Sequence, residues 1–217
     1  MIASLLVVAK APVPGLAKTR LTPPATPEEA ADLAAAALLD TLDAVLDTPD
    51  TKPVVAFTGD LSAACRSAGL QAVLRHVTVV PQRGSTFADR LANAHDDTFQ
   101  RHGLPVFQIG MDTPQVTPDL LGASVECLTG HDAVLGFATD GGWWALGVRE
   151  ASVAGSLREV PMSRPDTGVR TILALRKKAG RIGILARLSD VDDMATAREV
   201  AGQAPDTRFA RALGVRR

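Results

Sequence analysis

Short apolar runs alternate along this chain with stretches of helical period, and that alternation limits the possible folds more than any other feature. Runs at 2–9, 54–58, 77–80, 106–109, 133–137, 143–148 and 182–188 are rich in Val, Ile, Leu and Ala. They have strand length and are bounded by Gly, Pro or Asp. Between them the spacing predicts helices at about 26–46, 61–68, 87–101, 118–128, 169–178 and 194–201. This order predicts an α/β chain with a mostly parallel sheet covered on both faces, a three-layer α/β/α sandwich. The last third is less regular, so a few antiparallel strands are expected there. The 217 residues are enough for one large domain with a sizeable core, expected over 1–204. A basic tail is expected over 205–217.

One stretch places chemistry on this frame. Val106, Phe107 and Ile109 form a strand that ends at Gly110, with Asp112 two residues on. Thr113-Pro114 turns the chain, and Thr117 and Pro118 supply an N-cap and a first helical residue. In open α/β sheets ligands sit beyond the carboxyl ends of the strands, so Asp112 points into the expected crevice. Two readings are open from spacing alone: Asp112 anchors a metal–phosphate site, or it stabilises the turn before the helix.

The loop after the first strand reads Lys10-Ala-Pro-Val-Pro-Gly-Leu-Ala-Lys-Thr-Arg20. Two prolines and Gly15 keep it irregular, and three cations are spread along it. Backbone N–H groups and the Lys and Arg side chains can all face a polyphosphate. Gly15 and Lys18 do not have Walker A spacing. A solvated surface loop explains the same residues.

Three later segments carry polar groups at strand ends. Asp140-Gly-Gly142 lets backbone approach a ligand closely, or is a plain turn between strands. Met162-Ser-Arg-Pro-Asp-Thr-Gly168 is a polar loop before a helix. Asp190 and Asp192 alternate, so on extended backbone both point to one side and suit a hard cation. One of them could instead cap the following helix. Trp143 and Trp144 face opposite sides of a strand, and core packing is the expectation for both.

Composition excludes several classes. Lys and Arg number 23 against 24 Asp and Glu, with no basic block, which argues against a nucleic-acid partner. Cys65 and Cys127 form no CxxC pair and suit a reducing cytoplasm. The opening nine residues lack a basic n-region and are too short to span a bilayer, so a first strand is expected there. No serine-hydrolase elbow, zinc-protease helix or dinucleotide fingerprint is present, and His76, His95, His102 and His131 lack ligand spacing.

The motifs together resemble a known family. Val8-Ala-Lys-Ala-Pro-Val-Pro-Gly-Leu-Ala-Lys-Thr-Arg-Leu21 resembles the opening of the bacterial glycosyltransferase-like "transferase 1" proteins found beside radical-SAM and selenium-related genes. Gly110-Met-Asp-Thr-Pro114 resembles their Gly-Ser-Asp-Cys-Pro. Asp140-Gly-Gly-Trp-Trp-Ala-Leu-Gly147 resembles Asp-Gly-Gly-Tyr-Tyr-Leu-Leu-Gly, and Ser189-Asp-Val-Asp-Asp193 resembles an Asp-Val-Asp-Thr ending. The four occur in the same order over nearly the whole chain. The family lies in the nucleotide-diphospho-sugar transferase superfamily, is similar to 2-phospho-lactate guanylyltransferase, and implies a GT-A-like fold. Two segments depart from the family pattern, Gly84-Ser-Thr-Phe-Ala-Asp-Arg90 and Met162-Ser-Arg164.

Carried over residue by residue, the resemblance implies a metal, Mg²⁺ or Mn²⁺, on Asp112, Asp190 and Asp192. It implies Lys18, Arg20, Asp112 and Asp140 as the catalytic set. It places substrate against Ala9, Lys10, Pro14, Gly15, Gln82, Gly84, Gly141, Gly142, Ser163 and Asp166. The function expected is metal-dependent transfer from a nucleoside-diphosphate sugar to a small-molecule acceptor. Nucleotidyl transfer from a nucleoside triphosphate to a phosphorylated acceptor is the alternative, and nucleotide binding without turnover a third.

Overall fold

The structure is a computed structural model that describes residues 1–214. Among these residues seven strands form one sheet: β1 (Ala3–Lys10), β2 (Thr51–Thr58), β3 (Thr78–Pro81), β4 (Val106–Gly110), β5 (Ala133–Phe137), β6 (Trp143–Val148) and β7 (Ile182–Ile184). Their order is β3-β2-β1-β4-β6-β5-β7. The first four are parallel, β6 runs antiparallel to both β4 and β5, and β7 returns parallel to β5. The GT-A-like sandwich expected from the sequence is therefore the fold observed, with its irregularity in the last third. The central strands β1 and β4 are buried on both faces, which is why they read as continuous apolar runs and not as alternating ones.

Among the described residues there are eight helices: α1 (Pro27–Asp47), α2 (Ser67–Leu74), α3 (Phe87–His102), α4 (Pro118–Thr129), α5 (Ala151–Ala154), α6 (Thr167–Leu175), α7 (Met194–Gln203) and α8 (Arg208–Ala212). Their starts are written locally. Thr26 and Glu29 form a reciprocal capping box at α1, and Thr86 and Asp89 do the same at α3. Thr117 caps α4, with Pro118 as its first residue. One core cluster packs α1 and α4 on the sheet face that carries Leu5, Val7, Phe107 and Ile109. A second lies on the opposite face, where α3 and α6 cover Leu6, Val106, Leu135 and Leu146. Among the described residues no helix is long and apolar enough to cross a membrane.

α1 is buried almost all round, and its many alanines explain how. One side meets the sheet, and the other joins Val200, Ala201 and Phe209 in a third cluster. The segment from 205 onward, expected as a tail, contributes α8 to that cluster. Phe209 is fully buried, and the Asp40 carboxylate accepts from the backbone N–H groups of Arg208 and Phe209 at 3.0 and 2.8 Å. The last three residues of the expected tail, 215–217, lie outside the described residues.

Other boundaries move for identifiable reasons. The helix expected at 61–68 splits, because the Asp60 side chain caps one 3-10 turn at Leu61–Ala63 and Arg66 adopts left-handed backbone before α2 begins. The strand expected at 182–188 stops at Ile184, after which only an isolated bridge joins Leu188 to Ala138. α5 and the 3-10 turn Gly155–Glu159 have no periodic signature and were not expected.

Candidate active site

The loops following β1, β4 and β5, together with the segment that leads into α7, meet at one end of the sheet. β1 lies between β2 and β4, so the chain crosses over beside it and opens a crevice there. Lys18 follows β1 in left-handed backbone at φ 48°, which turns its side chain across this crevice. Its amino group lies 2.6 Å from Oδ2 of Asp112 and also donates to the Val191 carbonyl. Asp112 in turn accepts a backbone hydrogen bond at its carbonyl from Val191 N–H, at 3.1 Å. Three chain segments are thereby tied at one point.

Asp190 sits beside this tie. Its Oδ1 is buried and has no hydrogen-bond partner. Burial, reinforced by the charges of Asp112 and Asp140, pushes its carboxyl up to about 8, with Lys18 opposing. Asp192 pairs with Arg20, Oδ2 3.1 Å from Nη1, at an exposed position, and its charge adds to the push on Asp190. The backbone over 189–193 is not a strand, so the extended-backbone argument for a shared direction of Asp190 and Asp192 does not apply. The helix cap expected from one of these two comes instead from Asp193, whose side chain accepts from Ala195 and Thr196 N–H.

The donors suit a hard divalent cation. Asp112 and Asp190 are neighbouring carboxylates, and an unpartnered buried carboxylate oxygen is a position where a cation relieves a real cost. Mg²⁺ is commonly held by one or two carboxylates together with substrate phosphates. Among the described residues no three His, Cys, Asp or Glu side chains converge as a complete protein cage. Asp112 and Asp190 would thus hold the ion, and Asp192 would act through Arg20.

The other expected residues divide into those at the crevice and those used structurally. Asp140 accepts from Gly142 N–H at 2.8 Å, which fixes its carboxylate on the turn between β5 and β6. Gly141 has φ 90°, and a Cβ there would collide with the Pro165 carbonyl; its own carbonyl accepts from Gly168 N–H at 2.8 Å. This locks the turn to the start of α6. Asp166 is engaged by Arg170 at 2.6 Å, and Ser163 is exposed in left-handed backbone. The Gln82 amide donates to the carbonyls of Ala9 and Ala56, at 2.8 and 2.9 Å, so it laces β1 to β2. Lys10 donates to Leu16 O at 2.6 Å and closes its own loop over Pro14 and Gly15. Gly84 lies beyond β3, packed on Asp89 at the capped start of α3. Trp144 is buried over Gly136 and donates to Ala186 O at 2.9 Å, whereas Trp143 is half-buried against the opposite cluster.

Sequence reasoning missed the backbone of Val191 and the relay around Ser189. Gln115 donates to Ser189 O at 2.6 Å, Thr139 donates to Ser189 Oγ at 3.1 Å, and Ser189 donates to Glu199 at 3.1 Å. Only a Ser-then-Asp strand end marked this region, and residue type carries no sign of a backbone contact.

The family profile described as "Uncharacterized protein conserved in bacteria (DUF2064)" matches residues 41–164, more than half of the chain. The chain belongs to this family. A search of the curated proteins found no match to this DUF2064 chain. Solved structures do match. A Desulfovibrio desulfuricans G20 protein, provisionally assigned as a nucleotide-diphospho-sugar transferase, aligns at TM-score 0.84 and 23% identity over 99% of this chain and 95% of its own. CMP:2-keto-3-deoxy-manno-octonic acid synthetase, solved with CTP, aligns at 0.57 and 12% over 99% and 100%. Rv0371c of Mycobacterium tuberculosis H37Rv, solved with manganese, aligns at 0.52 and 17% over 92% and 98%. At these identities the likeness establishes a shared fold.

Proposed function

We propose that this DUF2064 protein is a metal-assisted transferase that takes an activated group from a nucleotide in the crevice between β1 and β4. The apposition of Lys18, Asp112 and Asp190 carries this reading. An amino group and two carboxylates at a sheet's carboxyl end suit a polyphosphate–cation complex far better than an uncharged ligand. A Mg²⁺ or Mn²⁺ ion held by Asp112 and Asp190 would neutralise charge on the departing phosphate. Lys18 and Arg20 stabilise the same charge from the loop side.

The first form of the reading is glycosyl transfer from a nucleoside-diphosphate sugar. Asp140 supports it. Its charge reaches Asp190, and its position on a locked turn suits a base that takes the proton of an acceptor hydroxyl. Asp166 is less suited to that task because Arg170 engages it. The second form is nucleotidyl transfer with a guanylyltransferase-like substrate, which the cationic loop and the cytidylyltransferase folds favour. There a phosphate acceptor is already ionised and needs no base.

Thermal unfolding with nucleoside triphosphates, nucleoside diphosphates and sugar nucleotides, each with and without Mg²⁺ or Mn²⁺, tests the proposal. A ligand that binds only the folded chain raises the melting temperature by mass action. Metal-dependent stabilisation by a diphosphate and its sugar conjugate is expected. Stabilisation by one triphosphate but no sugar nucleotide moves the assignment to nucleotidyl transfer. No shift with any of them, in the native chain and in Asp112→Ala alike, overturns the reading. Bound nucleotide that is never consumed leaves a non-catalytic nucleotide-binding protein.

A further inference from the structure

Asp190 is held where a free carboxylate would not stay. Its Oδ1 is buried without a hydrogen-bond partner, and the negative charges of Asp112 and Asp140 act on it. Desolvation and like charge both favour a turn towards water. The backbone on either side of Asp190 is tied down. Val191 donates its N–H to the Asp112 carbonyl at 3.1 Å and accepts from Lys18 at its own carbonyl. Ser189, on the other side, is buried and bonded to three further segments.

The first of these segments is the loop after β4. Gln115, three residues beyond Asp112, donates its amide to the Ser189 carbonyl at 2.6 Å. The second is the turn between β5 and β6. Thr139, the residue before Asp140, donates its hydroxyl to Ser189 Oγ at 3.1 Å and its N–H to the Leu188 carbonyl at 3.0 Å. Leu188 N–H donates to Phe137 O at 3.2 Å, so 188–189 runs in register beside 137–139. The third is α7, where Glu199 Oε1 accepts from Ser189 Oγ at 3.1 Å. A carboxylate can only accept, so Glu199 gives the chain its direction. The Ser189 proton goes to Glu199, and the Thr139 proton goes to Ser189. The start of α7 is already capped by Asp193, so Glu199 is not needed for that.

We propose that Ser189 and Glu199 are positioning residues whose hydrogen bond holds Asp190 beside Asp112 for a divalent cation. The inference rests on the transferase reading and extends it to two side chains that touch neither cation nor substrate. Residues that orient a metal ligand are worth nearly as much to the site as the ligand itself. Here the orientation acts through backbone: Ser189 is fixed from three sides, Val191 from two, and Asp190 lies between them. The same network registers the Asp140 turn on the cation side of the crevice, because Thr139 bonds both Leu188 and Ser189.

Three variants of the full chain, Ser189→Ala, Glu199→Leu and Glu199→Gln, test this against the native protein. Mn²⁺ affinity is read by electron paramagnetic resonance of the free ion, and affinity for inorganic pyrophosphate without metal by calorimetry. Thr139 and Glu199 are exposed, so Ser189→Ala strands no buried charge. Its melting temperature is expected to fall by no more than about 4 °C. Mn²⁺ affinity is expected to fall about tenfold or more in Ser189→Ala and in Glu199→Leu. Pyrophosphate affinity without metal is expected to stay native in both, since Lys18 and Arg20 are untouched. Glu199→Gln keeps an accepting oxygen and is expected to restore Mn²⁺ binding. Native Mn²⁺ affinity in Ser189→Ala, or equal losses in Glu199→Gln and Glu199→Leu, overturns the proposal and leaves the transferase reading standing. Loss of pyrophosphate affinity and melting temperature in step with Mn²⁺ affinity shows a merely structural role and overturns it too. A native chain that binds neither Mn²⁺ nor pyrophosphate overturns both.

Discussion

The side-chain nitrogen of Lys18 lies 2.6 Å from Oδ2 of Asp112, which joins two loops 94 residues apart in the chain. The Lys18 side chain is only 14% exposed, so this contact works in a medium less screened than water. It holds the β1 loop against the end of β4 and keeps positive charge beside two carboxylates.

Lys18→Met is therefore expected to do two separable things. In the proposed reaction it removes the charge that would face a polyphosphate, and the rate of transfer is expected to fall about 100-fold or more, as for loss of a preorganised donor. It also leaves Asp112 and Asp190 without their nearest cation, so the stabilising effect of added Mg²⁺ grows. Steady-state kinetics and metal-dependent melting measure the two. A variant with native kinetics would remove Lys18 from the mechanism.

Asp112→Asn and Asp190→Asn should both abolish metal-dependent stabilisation by nucleotide, and Asp192→Asn should not. The distinction follows from geometry, since Asp192 is paired with the exposed Arg20 and Asp190 is not. Isothermal titration with Mn²⁺ and nucleotide reads it directly. If Asp192→Asn removes metal binding as fully as Asp112→Asn, the division of roles is wrong.

Gly141→Ala should damage the site more than its small volume suggests. The added Cβ meets the Pro165 carbonyl, and the backbone sits at φ 90°. The turn must move, and Asp140 moves with it. Activity is expected to fall about 10-fold to 100-fold, because misplacement of about 1 Å at a reacting group costs on that order. Nucleotide affinity should change less, as the β1 loop is on the other side of the crevice.

His95 on α3 gives the fold a pH dependence on the acid side. It is fully buried, and neither ring nitrogen has a hydrogen-bond partner. Burial pushes its pKa from 6.5 down to about 4; the Gln108 amide opposes this without forming a well-made bond. The folded chain keeps the imidazole neutral while the unfolded chain takes up the proton. Stability is therefore full above pH 6.5 and declines as pH falls towards 4, by about 3 kcal/mol at the acid end. Denaturant titration of the native chain and of His95→Leu across that range checks it, and identical slopes in the two chains would exonerate His95.

Phe209→Ala should cost about 3–5 kcal/mol, the range for deletion of a fully buried aromatic ring. Chemical denaturation would show it. A cost below about 1 kcal/mol would mean that α8 contributes little to the fold.

The strands, the capped starts of α1 and α4 and the strand-to-Asp112 step were legible because each is local. A run of Val and Ile, a Thr before Pro, and a carboxylate after a glycine act on their immediate neighbours. The division between Asp190 and Asp192 was not legible, because alternation fixes direction only on extended backbone and this segment leaves the sheet. α8 was hidden because its one decisive residue, Phe209, shows its partner only when α1 is in place. Val191 contributes a carbonyl and an N–H, and no side-chain pattern reports those. Gln82, set against substrate only by the resemblance, also ties two strands through its amide N–H groups, a contact that no loop sequence reports.

The reversed direction of β6 gives the chain two halves that can change at different rates. β1 to β4 form an uninterrupted parallel block whose register is set before residue 111. The 138–142 turn hangs from an antiparallel hairpin whose loop can lengthen, shorten or change sequence without sliding any strand of that block. If the proposed transfer holds, descendants of such a chain could exchange one acceptor for another by rewriting a single hairpin end, while the block proposed to hold phosphate is inherited intact.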